Sequence, residues 1–122
     1  MNKVFVYGTL KSGHWNNGLL RTSRLVSEEA KLEGLCLYRN YPSFPVSYYE
    51  EGSKIIGELW EVDGATLTRL DQLESEGYMY NRETMTTECG QECMVYVGNN
   101  NCWSFNELDK CNKNEYNEYR WA

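Results

Sequence analysis

A chain of 122 residues and 14.3 kDa holds enough sequence for one domain with one core. Its 41% hydrophobic and 25% charged residues exclude a disordered polymer. Its net charge of −6 comes from the half after Glu61, where five basic residues face eleven acidic ones, and it argues against a phosphate-backbone partner.

In chain order, Lys3–Tyr7 is β-branched and aromatic and predicts a buried opening strand. It runs into the glycine-bracketed loop Gly8-Thr9-Leu10-Lys11-Ser12-Gly13. Asn17 to Leu25 predicts a short helix, and Ala30–Tyr38 a strand in which Gly34 marks a bulge or a close backbone approach. The two prolines in 40–45 make that stretch a loop. Val46–Tyr49, a turn at Glu50–Ser53 and Lys54–Val62 predict a hairpin. Asp63 then offers an N-cap for a helix ending near Glu74, with Leu67, Leu70 and Leu73 on one face and Gly77 as the break. Tyr80–Glu88 and Glu92–Val97 predict a second hairpin around Cys89-Gly90-Gln91. The polar, Tyr-rich residues 98–122 predict a docked loop or short helix. The expected class is α+β, two helices among five to six mostly antiparallel strands in a single domain spanning 1–122.

Lys3 is followed by only four apolar residues before Gly8, against the ~7–15 of an export signal, and no run approaches the ~18 of a membrane span. Five cysteines cannot all pair within one chain, so the expectation is a reduced, cytoplasmic protein. Cys89 and Cys93 lie on opposite arms of a predicted turn, and His14 is the sole histidine, so no zinc spacing exists and no metal or cofactor is expected. The glycine loop lacks both the Gly-Lys-Ser/Thr ending of a P-loop and the spaced glycines of a dinucleotide fingerprint. A Gly-Thr turn after a strand is ordinarily only a turn, yet such a turn can also aim several N–H groups at one anion.

Glu74 is the most informative carboxylate. It follows Leu70 by four residues and Leu67 by seven, which places it on their inward stripe at a helix C-terminus. Burial and the unsatisfied terminal carbonyls both penalise its charge there and raise its pKa toward the range useful for proton transfer. The alternative is that the helix unwinds and the side chain meets water. Asp71 and Glu76 are weaker candidates, Asp71 lying at a surface edge. Tyr7 and the tyrosines at 78 and 80 bracket the region, either as core residues with satisfied hydroxyls or as groups that hold a carboxylate or a substrate.

Four ordered segments carry a resemblance. They are Val4-Phe5-Val6-Tyr7-Gly8-Thr9-Leu10-Lys11, Gly57-Glu58-Leu59-Trp60-Glu61-Val62-Asp63, Arg69-Leu70-Asp71-Gln72-Leu73-Glu74-Ser75 and Tyr78-Met79-Tyr80-Asn81-Arg82. Together they resemble the gamma-glutamylcyclotransferase-like family, and most of all its gamma-glutamylamine cyclotransferase branch, over residues 3–97. Residues 98–122 then read as a family-atypical extension. The resemblance implies a compact mixed β-barrel with a pocket at one mouth. It implies Tyr7, Gly8, Thr9, Leu10 and Tyr80 as substrate-binding residues and Glu74 as the catalytic one. It further implies a cofactor-free conversion of a gamma-glutamyl amine or gamma-glutamyl amino acid to 5-oxoproline and free amine. A non-catalytic pocket that sequesters a small metabolite is the alternative, and an interaction protein using the acidic tail is a third reading. Natural substrate and oligomeric state are not encoded in these motifs.

Overall fold

Val4, Phe5 and Val6 offer no polar face, so a strand made of them must be covered on both sides. The computed structural model, which describes residues 2–40 and 44–121, places that strand, β1 (Asn2–Val6), in the middle of the sheet. It pairs antiparallel with β3 (Phe44–Val62) and parallel with β5 (Glu92–Gly98). Its side chains alternate between two cores. Phe5 packs with Leu32, Leu35, Ile55 and Val95, and Val4 and Val6 pack with Trp60, Leu67, Leu70 and Tyr96.

The remaining strands are β2 (Arg24–Asn40), β4 (Tyr80–Thr86), β6 (Asp109–Lys110) and β7 (Glu118–Arg120), with one main helix, α1 (Gly64–Leu73). The sheet runs β4-β5-β1-β3-β2-β6, and β7 pairs with β3 off this path. It is an α+β fold, a mixed sheet curled into a half-barrel whose outer strands, β4 and β6, are not paired with each other.

Three local expectations change. The hairpin at Glu50–Ser53 does not form. Both of its arms belong to β3 and pair with β2, as in Leu35↔Tyr49 and Glu33↔Lys54. The sheet absorbs the surplus residues of β3 opposite Gly34 of β2, whose φ of +89° only glycine adopts without strain, so the irregularity expected at Gly34 is there but the extra residues lie on its partner strand, β3. The helix over Asn17–Leu25 shrinks to a 3-10 turn at Asn17–Leu20, which has no side-chain cap. Leu25 instead pairs with Trp60 in the ladder. Among the described residues the tail contains two short strands and no helix, which brings the described strands to seven. The predicted loop at 40–45 falls partly outside the described residues. Its described ends, Asn40, Phe44 and Pro45, are strand.

The tail docks through charge and one buried ring. Tyr119 is fully buried and its hydroxyl donates to Glu50 at 3.0 Å, while Glu118 pairs with Lys31 at 2.7 Å. Burial opposes the charge on Glu50, but hydrogen bonds from Lys110, Ser53 and Tyr119 hold its carboxyl down to about 2.

Helix α1 begins as predicted. The Asp63 carboxylate accepts the Thr66 N–H at 2.7 Å. Asp63→Ala is therefore expected to cost about 1 kcal/mol, seen as a lower urea midpoint with an unchanged m-value.

Candidate active site

How α1 ends decides where Glu74 points. Glu74 is the C-cap residue, its N–H bonded to the Leu70 carbonyl at 2.9 Å. The next two amides fold back, Ser75 N–H onto the Gln72 carbonyl at 3.3 Å and Glu76 N–H onto the Asp71 carbonyl at 3.0 Å. This is a Schellman closure, and it sets Ser75 at φ 48°, a left-handed position usually held by glycine. Gly77, at φ 89°, turns the chain toward β4. The helix thus continues through Glu74 and stops immediately after it, and the side chain stays on the inward stripe.

Glu74 lines a cavity of about 190 Å³ at the C-terminal end of β1. The cavity is walled by Tyr7, Gly8, Thr9 and Leu10 from the loop after β1, by Phe44 and Pro45 from the start of β3, and by Tyr80 and Tyr96 from β4 and β5. All six site residues expected from the sequence line it. Glu74 itself is half-buried. Burial pushes its carboxyl up to about 7, and among the described residues no hydrogen bond or ion pair offsets that penalty.

The loop supplies the complementary charge. Lys11 N–H closes a turn on the Gly8 carbonyl at 3.1 Å, and Asn16 N–H bonds the Thr9 carbonyl at 3.0 Å. The side chain of Asn16 donates to Thr9 Oγ1 at 2.9 Å, and that of Asn17 to the Leu10 carbonyl at 2.8 Å. Glu58 fixes the far end by accepting the Ser12 N–H at 2.8 Å. Among the described residues, the amides of Gly8, Thr9 and Leu10 donate to no other group. A braced loop carrying such amides has the chemistry to receive an anion. Gly8 is required there by space, since a Cβ on it would stand 2.7 Å from Pro45 Cγ.

The tyrosines are held. Tyr7 donates to the Tyr96 carbonyl at 2.6 Å, and Tyr80 to the Pro45 carbonyl at 3.1 Å. Burial first, and the nearby Glu74 charge second for Tyr7, push both phenols above their ordinary range, so they are neutral. The Tyr80 oxygen keeps a lone pair to accept a further bond, whereas Ser47 lies against the Tyr7 oxygen as a donor. Tyr78 is exposed and does not line the cavity. Asp71, at the surface edge as expected, is committed elsewhere. It accepts the Tyr96 hydroxyl at 2.7 Å and pairs with Arg82 at 2.5 Å.

Sequence reading passed over Trp15, Asn16, Phe44, Pro45, Met79 and Tyr96 as cavity residues. Trp15 carried a usable signal, a large aromatic two residues beyond the glycine-bracketed loop, where no core strand or helix could take it. Tyr96 and Pro45 reach the cavity only through strand pairing across the sheet, and no local pattern announces that.

Comparison with known proteins adds an independent line. Residues 4–121 match the family described as gamma-glutamyl cyclotransferase, AIG2-like, so the matched stretch includes most of the segment after Val97. The chain is 30% identical over 92 residues to the gamma-glutamylcyclotransferase family protein ytfP of Citrobacter rodentium, covering 75% of this chain and 78% of that one. It is 29% identical over 126 residues to the gamma-L-glutamyl-butirosin B gamma-glutamyl cyclotransferase of Niallia circulans, covering 100% of this chain and 74% of the relative. The crystal structure of an AIG2-like protein from Mus musculus superposes with a TM-score of 0.77 at 25% identity, over 91% of this chain and 86% of the other.

Proposed function

The chain belongs to the gamma-glutamyl cyclotransferase, AIG2-like family, and from that premise we propose that its cavity closes a gamma-glutamyl amide into 5-oxoproline and releases the amine. The observation that carries this reading is the half-buried carboxyl of Glu74, which among the described residues has no partner and shares one small cavity with amides of Gly8–Leu10 that donate to no other described group.

The substrate, R–NH–CO–CH2–CH2–CH(NH3+)–COO−, carries its own nucleophile. Its α-nitrogen attacks its γ-carbonyl, a new C–N bond forms in a five-membered lactam, and the old amide C–N bond breaks. Nothing is oxidised or reduced, so no redox partner enters the balance. Tethering makes the attack intramolecular, and the cavity's contribution is to hold the chain folded. Proton movement is what remains. Glu74 as carboxylate accepts a proton from the α-ammonium and returns one to the departing nitrogen, and the second ammonium proton passes to solvent. A carboxyl with a pKa of about 7 performs both halves near neutral pH. The amides of Gly8, Thr9 and Leu10 hold the α-carboxylate or the oxyanion that develops on the γ-oxygen. The phenolic oxygen of Tyr80 accepts from the α-ammonium and orients it beside Glu74, and Tyr7, bonded to the Tyr96 carbonyl, holds the substrate-facing wall beside it.

The direct test incubates the purified protein with a panel of gamma-glutamyl amines and gamma-glutamyl amino acids and follows 5-oxoproline by mass spectrometry. Stoichiometric release of 5-oxoproline and free amine from at least one compound is expected. Binding with unchanged ligand recovered across the panel contradicts the catalytic reading and leaves a sequestering pocket.

A further inference from the structure

Asn17-Gly18 is the sole Asn-Gly pair in the sequence, and the fold makes no demand for its glycine. Gly18 has no left-handed φ, and a Cβ on it would meet nothing within 4 Å. Neither usual reason for a glycine, a positive φ or a close approach, applies there. What the glycine leaves is an exposed and uncrowded amide. Among the described residues the Gly18 N–H donates to no group.

That nitrogen is tethered one residue from the side-chain carbonyl of Asn17, and its attack closes a five-membered ring. A bond forms from the Gly18 nitrogen to Asn17 Cγ, the Cγ–Nδ2 bond breaks, and ammonia leaves with the proton that Gly18 gives up. Water then opens the succinimide at either carbonyl and leaves aspartate or isoaspartate at position 17. Nothing is oxidised or reduced. A side chain on the following residue crowds the attacking nitrogen, and every other asparagine is followed by a residue that carries one. Asp63-Gly64 has the same spacing, but the Thr66 N–H holds the Asp63 carboxyl ionised, and a carboxylate is a poor electrophile.

Asn17 also braces the candidate site. Its Nδ2 donates to the Leu10 carbonyl at 2.8 Å, and Leu10 belongs to the amide-bearing loop. Ring closure therefore waits on the opening of this brace, and the product cannot restore it. A carboxylate oxygen would face the Leu10 carbonyl oxygen where an N–H now stands, and two acceptors repel. The new negative charge would also lie beside amides suited to an anion.

We propose that Asn17 is a site of spontaneous deamidation through Gly18, and that the modification weakens the loop Gly8–Leu10 as an anion site. The modification stands apart from the cyclotransferase reading, and only its effect on turnover rests on that reading.

The test ages the purified protein in mildly alkaline buffer and follows peptide masses with time. The peptide containing Asn17 is expected to gain the mass difference between an amide and an acid before any other asparagine peptide does. Gly18→Ala, whose methyl fits the open space, is expected to keep its starting kcat/KM and to stay unmodified over the same period. Asn17→Asp, which installs one product uniformly, is expected to raise KM about tenfold with little change in kcat, on whichever compound of the panel above is turned over fastest. In that variant the Asn16 N–H, bonded to the Thr9 carbonyl, should exchange with deuterium faster than in the unmodified protein while the amides of β1 keep their rates. Asn17 that stays an amide while other asparagines react, or equal modification in Gly18→Ala, overturns the site. A KM that does not rise, or unchanged exchange at Asn16, overturns the effect on the loop. A panel without turnover removes the cyclotransferase reading, and mass and exchange then decide this inference by themselves.

Discussion

Glu74→Gln is expected to leave a folded protein that binds substrate and turns it over ~10²–10⁴-fold more slowly. Glutamine keeps the shape of the side chain and its place at the end of α1, but it can neither take a proton from the α-ammonium nor return one to the leaving nitrogen. A second consequence has the opposite sign. Burial raises the carboxyl of the folded protein to about 7, whereas the unfolded chain titrates in the ordinary range near 4.3. Between those values the folded state binds the extra proton, so the contribution of Glu74 to stability is fully present below ~4.3 and is lost as pH rises through 7. The glutamine variant has no charge to bury. Its melting temperature relative to wild type should therefore rise between pH 4.5 and pH 8, while its activity is lost at every pH. Gain of stability with loss of turnover separates a catalytic carboxylate from a structural one. A variant that loses both is reporting a packing role.

Gly8→Val is expected to lower kcat/KM by ~10²–10³, the scale of losing an oxyanion donor. Thr9→Ala should cost less than ~10-fold. The difference follows from what each residue supplies. A Cβ on Gly8 runs into Pro45, 2.7 Å from Cγ and 2.9 Å from Cδ, and either the amide-bearing loop or the first turn of β3 must move. The Thr9 hydroxyl accepts from Asn16, so removing it loosens one brace of a loop that four other hydrogen bonds described above still hold. Gly8→Ala made together with Pro45→Ala removes the two ring carbons in conflict. It should recover part of the activity that Gly8→Ala alone loses, because the Pro45 carbonyl that Tyr80 bonds is backbone and remains. Equal losses at Gly8 and Thr9, with no recovery in the double variant, would place the binding function on the hydroxyl instead of the amides.

What the sequence made readable was what local periodicity controls. The 3.6-residue repeat alone put Glu74 on the stripe of Leu67 and Leu70, because an i+4 or i+7 relation needs no knowledge of the partner surface. The capped start at Asp63 was legible for the same reason. A bulge at Gly34 was visible as a glycine inside a strand pattern, but its pairing was not, since two short arms separated by a polar turn look alike whether they pair with each other or both with β2. The tail was illegible for a further reason. Tyr119 becomes core only when Glu50, 69 residues earlier, is there to receive its hydroxyl. Trp15, Pro45 and Tyr96 reached the cavity from a loop and from two strands joined only by long-range pairing, so no window of sequence contained them together.

One measurement bears most directly on the central claim, that an inward carboxylate with a raised pKa moves the protons. It is the pH profile of kcat/KM for 5-oxoproline release, which reports the ionisation of the free enzyme. Glu74 acts first as a base, so the account predicts that activity falls on the acid side with an apparent pKa near 7. A profile that stays level down to pH ~5 would mean that the essential group titrates as an ordinary exposed carboxylate, or that there is none, and would contradict it.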